Sequence, residues 1–276
     1  MSDKLALILS GGGMTCSFSV GVINALVREF GVTNPDIVIA ASGSSGTMAY
    51  YIAGQFGSIT NIWTNLLPSK KFINHFRFWK IIDIDYLIDE VFKKQDPLDI
   101  EKVYTSNIEF LIPATNDETG EVKYFSNRDD DDIFEAMRAA KAMPLAFNKR
   151  VKINGSTYCD SPLTSVTQLH IAKAIELGAT RILVIENPPL DWLTKFGFRC
   201  WLMFRKGIFK KNYRALELKG KNSSVPKDIS LLHLVPQEKL KITTLNNNQS
   251  LLRESIDVGY VTCKGSTRVK EFFNGT

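Results

Sequence analysis

Two stretches of small residues stand where an acyl-transfer reaction needs them. Ser42-Gly43-Ser44-Ser45-Gly46 follows the apolar run Ile37-Val38-Ile39-Ala40-Ala41 and precedes Thr47 to Ala53, which reads as a helix with Gly54 as its stop signal. Strand, sharp turn and helix make the setting in which a serine hydroxyl is held out as a nucleophile. Small residues two positions to either side let the two chain arms pass closely. By that criterion Ser44 is the expected nucleophile, with Ser42 and Gly46 as the small flanks of the elbow. Ser45 fits less well, because the β-branched Thr47 crowds its far arm. Small-residue turns also join strands to helices with no chemistry attached, so the rest of the chain has to decide.

The second stretch is Ser10-Gly11-Gly12-Gly13, between an apolar strand at Leu5 to Leu9 and a helix with Phe18, Val22, Leu26 and Phe30 on one stripe. Such a loop offers bare backbone N–H groups at the positive end of a helix, a place for a phosphate or for the oxyanion of an acyl-transfer intermediate. A dinucleotide site is disfavoured. The G-x-G-x-x-G pattern fails at Cys16, the acidic Asp36 precedes the second strand rather than ending it, and no Gly-Lys-Ser/Thr follows. In a parallel sheet the loops leaving strand ends gather on one edge, so the glycines and the serine turn are expected to be neighbours.

The elements that must position these residues belong to a globular chain of 276 residues, 44% of them hydrophobic, with a net charge of +5 from 34 basic and 29 acidic residues. That mild charge does not indicate nucleic acid and leaves an anionic membrane surface open. Cys16, Cys159, Cys200 and Cys263 are scattered without CxxC or metal spacing, which points to a reducing, cytoplasmic setting with free thiols. No signal peptide and no membrane span are expected. Asp129 to Asp132 lack the alternation and glycine of a calcium loop and read as a helix cap instead.

Further along, a hairpin is expected over 107–126, a helix over 133–142 ended by Pro144, and a turn at Asn154-Gly155. A short strand at Thr157 to Cys159 leads to Asp160-Ser161-Pro162, a helix over 166–177 and an apolar strand at Arg181 to Glu186. By spacing alone Asp160 is a cap or turn residue. A last strand is expected at Ile229 to Val235, a polar loop from Gly220 to Lys227, and a closing helix over 249–273 bent at Gly259. Residues 55–100 are irregular, with aromatic and basic residues mixed in Lys70 to Trp79 and a helix expected over Ile82 to Val91. They read as a cover, either packed on the core or facing a membrane. Residues 190–214 interleave aromatic and basic residues, which suits either a lipid headgroup interface or a helix packing its rings inward. His75, His170 and His233 fall in a cover, a helix and a strand, none in an obvious catalytic loop.

In order and spacing these blocks resemble the patatin-like phospholipase family. The blocks are GGGMTCSFSVGVINAL at 11–26, SGSSG at 42–46, ATNDETGEVKYF at 114–125, AAKAMPLAF at 139–147 with INGSTYCDSP at 153–162, and AKAIELGATRILVIEN at 172–187. The resemblance implies a three-layer α/β fold with a mostly parallel central sheet and helices on both faces. It implies one domain over 1–276, with 55–100 and 187–225 as cover segments. It further implies a Ser–Asp dyad of Ser44 and Asp160, Gly11, Gly12 and Gly13 as the oxyanion hole, and no cofactor or metal. The implied substrate is a lipid or phospholipid ester, with peripheral membrane contact through Trp192, Phe196, Phe198, Trp201, Phe204 and their flanking Lys and Arg residues. The chain departs from the family pattern at Ser42, Thr15, Cys16 and Ser161. Those departures leave two other readings open: an impaired, lipid-binding regulatory protein, or an acyltransferase using the same dyad.

Overall fold

A computed structural model describes residues 3–222 and 224–274. Its centre is an eight-stranded sheet built from β1 (Leu5–Leu9), β2 (Ile37–Ala40), β3 (Glu109–Asn116), β4 (Val122–Ser126), β5 (Val151–Ile153), β6 (Ser156–Cys159), β7 (Arg181–Ile185) and β8 (Ser230–Leu234). The order is β5-β6-β3-β2-β1-β7-β8, with β4 also on β3. The run β3-β2-β1-β7-β8 is parallel, while β4, β5 and β6 pair antiparallel. The central strands are apolar on both faces, as strands covered on both sides must be.

The helices are α1 (Ser17–Phe30), α2 (Gly43–Ile52), α3 (Phe56–Asn61), α4 (Ile100–Thr105), α5 (Ile133–Lys141), α6 (Thr167–Glu176), α7 (Trp192–Met203), α8 (Gly207–Asn222), α9 (Gln249–Gly265) and α10 (Thr267–Asn274). Alternate strand residues feed two cores. Leu7, Leu9, Val38 and Ala40 join the larger one with α1, α2, α5 and α9. Ala6, Ile8, Ile37 and Ile39 join a smaller one with Ile171 and Ala174 of α6. The result is the expected three-layer α/β arrangement. Asp132 accepts from the N–H groups of Phe134 and Glu135, so the cap expected within the aspartate run is formed.

One feature of the pairing matters for the site. Leu111 of β3 pairs with Ile39 of β2 on one edge and with Ser126 of β4 on the other. Thr115 pairs with Val122 of β4 and with Cys159 of β6. β2 and β6 therefore share one edge of β3, running in opposite directions. The chain leaving β2 after Ala40 and the chain leaving β6 after Cys159 are aimed at the same gap.

Several boundaries differ from expectation. The closing helix is two helices, because Ser266 leaves helical geometry (ψ 116) and its hydroxyl accepts from the N–H of Val269 at 3.3 Å. Gly259 is not a bend: it is where α9 crosses α1, and a Cβ there would lie 2.1 Å from the carbonyl oxygen of Phe18. Gly21 is its counterpart, 1.9 Å from the carbonyl oxygen of Ile256 by the same measure. α8 continues through Gly220, where a polar loop was expected, and a Cβ on that glycine would lie 2.9 Å from Cγ1 of Val166; Ser223 of that loop is outside the described residues. The acidic segment after Ile82 forms a π-helical stretch at Tyr86–Gln95 rather than an α-helix. Among the described residues no helix is long and apolar enough to cross a membrane.

The α1–α9 crossing generates a stability prediction. Gly21→Ala and Gly259→Ala each force the helices apart, and overpacking of this kind costs about 1–3 kcal/mol. Chemical denaturation should place both variants at or above the top of that range, while Gly57→Ala, which meets nothing within 4 Å, stays near wild type.

Candidate active site

The turn after β2 is strained at Ser42, whose φ of 46 and ψ of −122 lie in a region that side-chain-bearing residues rarely enter. Its hydroxyl donates to Oδ2 of Asp160 at 2.7 Å, across 118 residues of chain. This is the meeting of the two chain ends that share the edge of β3. Ser44, the expected nucleophile, is not brought to Asp160. It lies in the first turn of α2, is fully buried, and donates to the carbonyl oxygen of Ser10 at 2.8 Å. β2 ends at Ala40 rather than Ala41, and the turn that follows brings Ser42, expected as a flank of Ser44, to the carboxylate. Ala40 and Ser44 are the small residues two positions from Ser42. The small-residue spacing that marks Ser44 therefore marks Ser42 as well. Gly46, expected as the other flank, packs against the ring of Phe92, 2.8 Å from where a Cβ would sit.

The glycine loop does lie beside the elbow. A Cβ on Gly43 would meet the carbonyl oxygen of Gly13 at 2.7 Å, and one on Gly11 would meet Cβ of Ser42 at 3.0 Å. Gly12 and Gly13 have φ values of 158 and 61, conformations that favour glycine. Gly12, Gly13 and Gly43 line the same cavity as Ser42 and Asp160; Gly11 lies behind them. Among the described residues the N–H groups of Gly12, Gly13 and Gly43 have no protein acceptor. Asn187, at the end of β7, ties loop and elbow together. Its side-chain amide donates to the carbonyl oxygen of Ser10 at 2.7 Å and to the Ser44 hydroxyl at 3.3 Å. Thr15 closes the loop on itself, donating to the carbonyl oxygen of Gly12 at 2.9 Å.

Three further residues bear on the site, none of which the sequence placed there. Thr164, in the short 3-10 helix Pro162–Ser165, donates to Oδ1 of Asp160 at 2.8 Å. Behind it, Nε2 of the buried His170 is 2.9 Å from the Thr164 carbonyl oxygen, and its Nδ1 is 2.8 Å from the Tyr124 hydroxyl. A carbonyl can only accept, so the proton sits on Nε2 and Tyr124 donates to Nδ1. Burial pushes the His170 pKa down to about 4, keeping it neutral and structural. Lys141 is the third. Its ammonium is buried, lines the cavity and donates to the Ser45 hydroxyl, which donates in turn to the carbonyl oxygen of Ser42 at 2.8 Å.

Burial raises the Asp160 pKa to about 6, opposed by the Ser42 and Thr164 hydroxyls and then by the charge of Lys141. Burial lowers the Lys141 pKa to about 7, opposed by the negative charge of Asp160. Cys16 beside them is pushed up to about 12 by burial and stays a thiol. The remaining cavity wall is apolar: Trp63, Leu67, Phe72 and Ile82 from the cover at 55–100, and Leu190 and Phe198 from the later one. Its free volume is about 70 Å³, too little for a lipid chain. Two residues expected at a membrane face are not exposed. Phe198 and Trp201 each retain 8% of their surface, because Trp201 packs edge-on against Phe209 at 5.3 Å and under the Arg205 guanidinium at 4.2 Å. Trp192, Phe196 and Phe204 are exposed as expected.

These pKa shifts make a prediction about stability. Because Asp160 binds its proton more tightly folded than unfolded, its contribution is complete below pH ~3.9 and is lost as pH rises through about 6. At pH 8 the buried charge is a net cost. Asp160→Asn should therefore be more stable than wild type at pH 8 by about 1–3 kcal/mol in urea unfolding. The gap should close near pH 4; a gap that is flat with pH counts against the shift.

Residues 7–173 match the family described as patatin-like phospholipase. No curated protein matches the chain. Among solved structures, VipD from Legionella pneumophila superimposes with a TM-score of 0.54 at 12% identity, covering 99% of this chain and 67% of that one, a likeness of fold alone. The family match spans more than half the sequence, from β1 into α6, and takes in both the glycine loop and the Ser42–Asp160 pair. On that ground the chain belongs to the patatin-like phospholipase family, whose general activity is lipid hydrolysis.

Proposed function

We propose that the protein cleaves carboxylic esters of lipids through an acyl-enzyme on Ser42, with Asp160 as the base. The observation that carries this is the 2.7 Å hydrogen bond from the Ser42 hydroxyl to Oδ2 of Asp160 inside a cavity lined by bare glycine backbone. An aspartate at its ordinary pKa of ~3.9 is a weak base at neutral pH; one raised to about 6 is better matched to the work and still ionised at pH 7. The Ser42 proton passes to Asp160 as Oγ attacks the ester carbonyl. The new oxyanion is held by N–H groups of Gly12, Gly13 and Gly43, where one donor of this kind is worth ~3–4 kcal/mol of barrier. Asp160 then returns the proton to the leaving alcohol. A water, activated by the same carboxylate, releases the fatty acid. Thr164 aims the carboxylate, and Lys141 with Ser45 braces the strained elbow.

The apolar wall of the cavity supports a fatty acyl chain as the group that enters, and its narrowness means that the covers at 55–100 and 187–225 move to admit one. The whole chain then acts as one catalytic unit. Exposed Trp192, Phe196 and Phe204 among lysines and arginines suit peripheral contact with lipid.

A fluorophosphonate probe should label Ser42, and Ser42→Ala should lose roughly a thousandfold or more in kcat while Ser44→Ala keeps most of it. Equal losses, or labelling at Ser44, return the nucleophile to Ser44. The rate should rise with pH through about 6 as Asp160 ionises. Thr164→Val removes a donor that favours the carboxylate, so this limb should move to higher pH, and Thr164→Ser should restore it.

A further inference from the structure

The polarity of residues 74–81 is inverted. Ile73 and Ile82 pair antiparallel, the Asn74 N–H donates to the Ile81 carbonyl oxygen at 2.9 Å, and the stretch between them is a hairpin tip. Its aromatic residues point outward, Phe76 84% exposed, Phe78 78% and Trp79 61%. Its charged residues point inward. Arg77 donates to the carbonyl oxygens of Lys71 and Phe72 and pairs with Asp83, and Lys80 pairs with Asp83 at 2.8 Å and Asp85 at 3.3 Å. A loop that meets only water is arranged the other way round, with rings inside and charges out. The hairpin is also firmly held, through the Ile82 N–H donating to the Ala146 carbonyl oxygen at 3.0 Å. The rings are thus presented by a fixed frame.

Two other segments do the same nearby. Leu145 is 63% exposed and sits at φ 69, a strained geometry for leucine, with its side chain 3.9 Å from the Cβ position of Gly197 in α7. Trp192 and Leu193, at the start of α7, are exposed too. His75 and Ile81 at the hairpin's base, Leu145, Trp192 and Leu193 border one open cleft. That cleft shares Met143, Leu190 and Phe198 with the cavity that holds Ser42. Trp192, Leu193 and Leu145 therefore stand at the mouth of the cleft, and the hairpin that carries Phe76, Phe78 and Trp79 is rooted beside it through His75 and Ile81. Exposed apolar groups gathered this way mark an interaction surface.

We propose that the tip 74–81, Leu145 and the start of α7 form an insertion collar for an anionic lipid bilayer, seating the mouth of the Ser42 cavity on the membrane. The choice of a bilayer rests on the lipid-hydrolase reading and on charge. Residues 192–214 carry seven basic side chains and no acidic one, and Lys195, Arg199 and Lys206 are exposed there. Rings inserted at headgroup depth with cations beside them fit an anionic lipid surface. With the collar embedded, a chain leaving the bilayer enters the cleft without crossing water.

The test uses the whole protein carrying Ser42→Ala, so that binding is read without turnover. Co-sedimentation is measured with vesicles of phosphatidylcholine alone and of phosphatidylcholine with phosphatidylserine. Binding is expected to be stronger to the anionic vesicles and to weaken by roughly tenfold or more in the triple variant Phe76→Ser, Phe78→Ser, Trp79→Ser. Brominated lipid should quench a share of the tryptophan fluorescence in Trp192→Phe that is missing when Trp79→Phe is added, since the remaining Trp63 and Trp201 are buried. In the otherwise wild-type chain the triple variant should keep its rate on a soluble short-chain ester and lose it on vesicles. Unchanged binding by the triple variant overturns the collar. So does a dimer in sedimentation velocity that the triple variant dissociates without any vesicle binding, which makes the patch a contact between copies. Vesicle binding by a wild-type chain that hydrolyses no ester leaves the collar standing and removes the hydrolase reading.

Discussion

A carboxylate and a hydroxyl meet in a buried gap because two strands compete for one edge of β3. β2 holds that edge as far as Leu111, β6 takes it from Thr115, and neither continues. Ser42 leaves one strand and Asp160 the other, and the gap lets their side chains bond at 2.7 Å. Most of what is distinctive in the molecule serves that meeting. The strain at Ser42 persists because its hydroxyl is held by Asp160 and its carbonyl by Ser45, with Lys141 behind. The glycines at 12, 13 and 43 let backbone approach where a side chain would not fit.

Burial is what gives the pair its chemical character. In water Asp160 would be a weak base and Lys141 a plain cation; in the gap burial drives their pKa values toward each other, to about 6 and about 7. Desolvation is the largest cause in both cases, and the partner charge opposes it. The protein holds two ionisable groups that cost stability at neutral pH, the usual trade at a site built for reaction rather than for packing. Thr164 and His170 are the supporting frame: one hydroxyl turned to the carboxylate, one neutral imidazole fixing that hydroxyl's own backbone.

The covers resolve an ambiguity that composition left open. Both carry aromatic residues among basic ones, and both divide them. Phe72, Phe198 and Trp201 turn inward to the cavity wall or the core, while Phe76, Phe78, Trp79 and Trp192 turn out. In the hairpin the division goes with inward-facing charges, since Asp83 and Asp85 on the same cover draw Arg77 and Lys80 back. Spacing does not reveal this division, because the hairpin is neither helix nor regular strand and has no periodicity to read.

The sequence by itself determined the local elements. Apolar runs marked the central strands, glycines and Pro144 marked stops, the run Asp129 to Asp132 marked a cap, and the family's blocks in order implied the α/β fold and the lipid-hydrolase class. It also determined that glycine loop and serine turn would be neighbours, since both leave parallel strands at the same edge. It did not determine which serine meets the carboxylate of Asp160. Ser42, Ser44 and Ser45 differ by one or two positions, and the choice turns on whether β2 ends at Ala40 or Ala41, a distinction finer than local pattern carries. Nor did it mark Lys141 or Thr164, whose roles exist only through contacts 96 residues away and with a carboxylate four residues back. Only the tertiary structure decided these, because register along a shared strand edge is a long-range property, and a side chain's partner across that edge leaves no trace in its own neighbourhood of the chain.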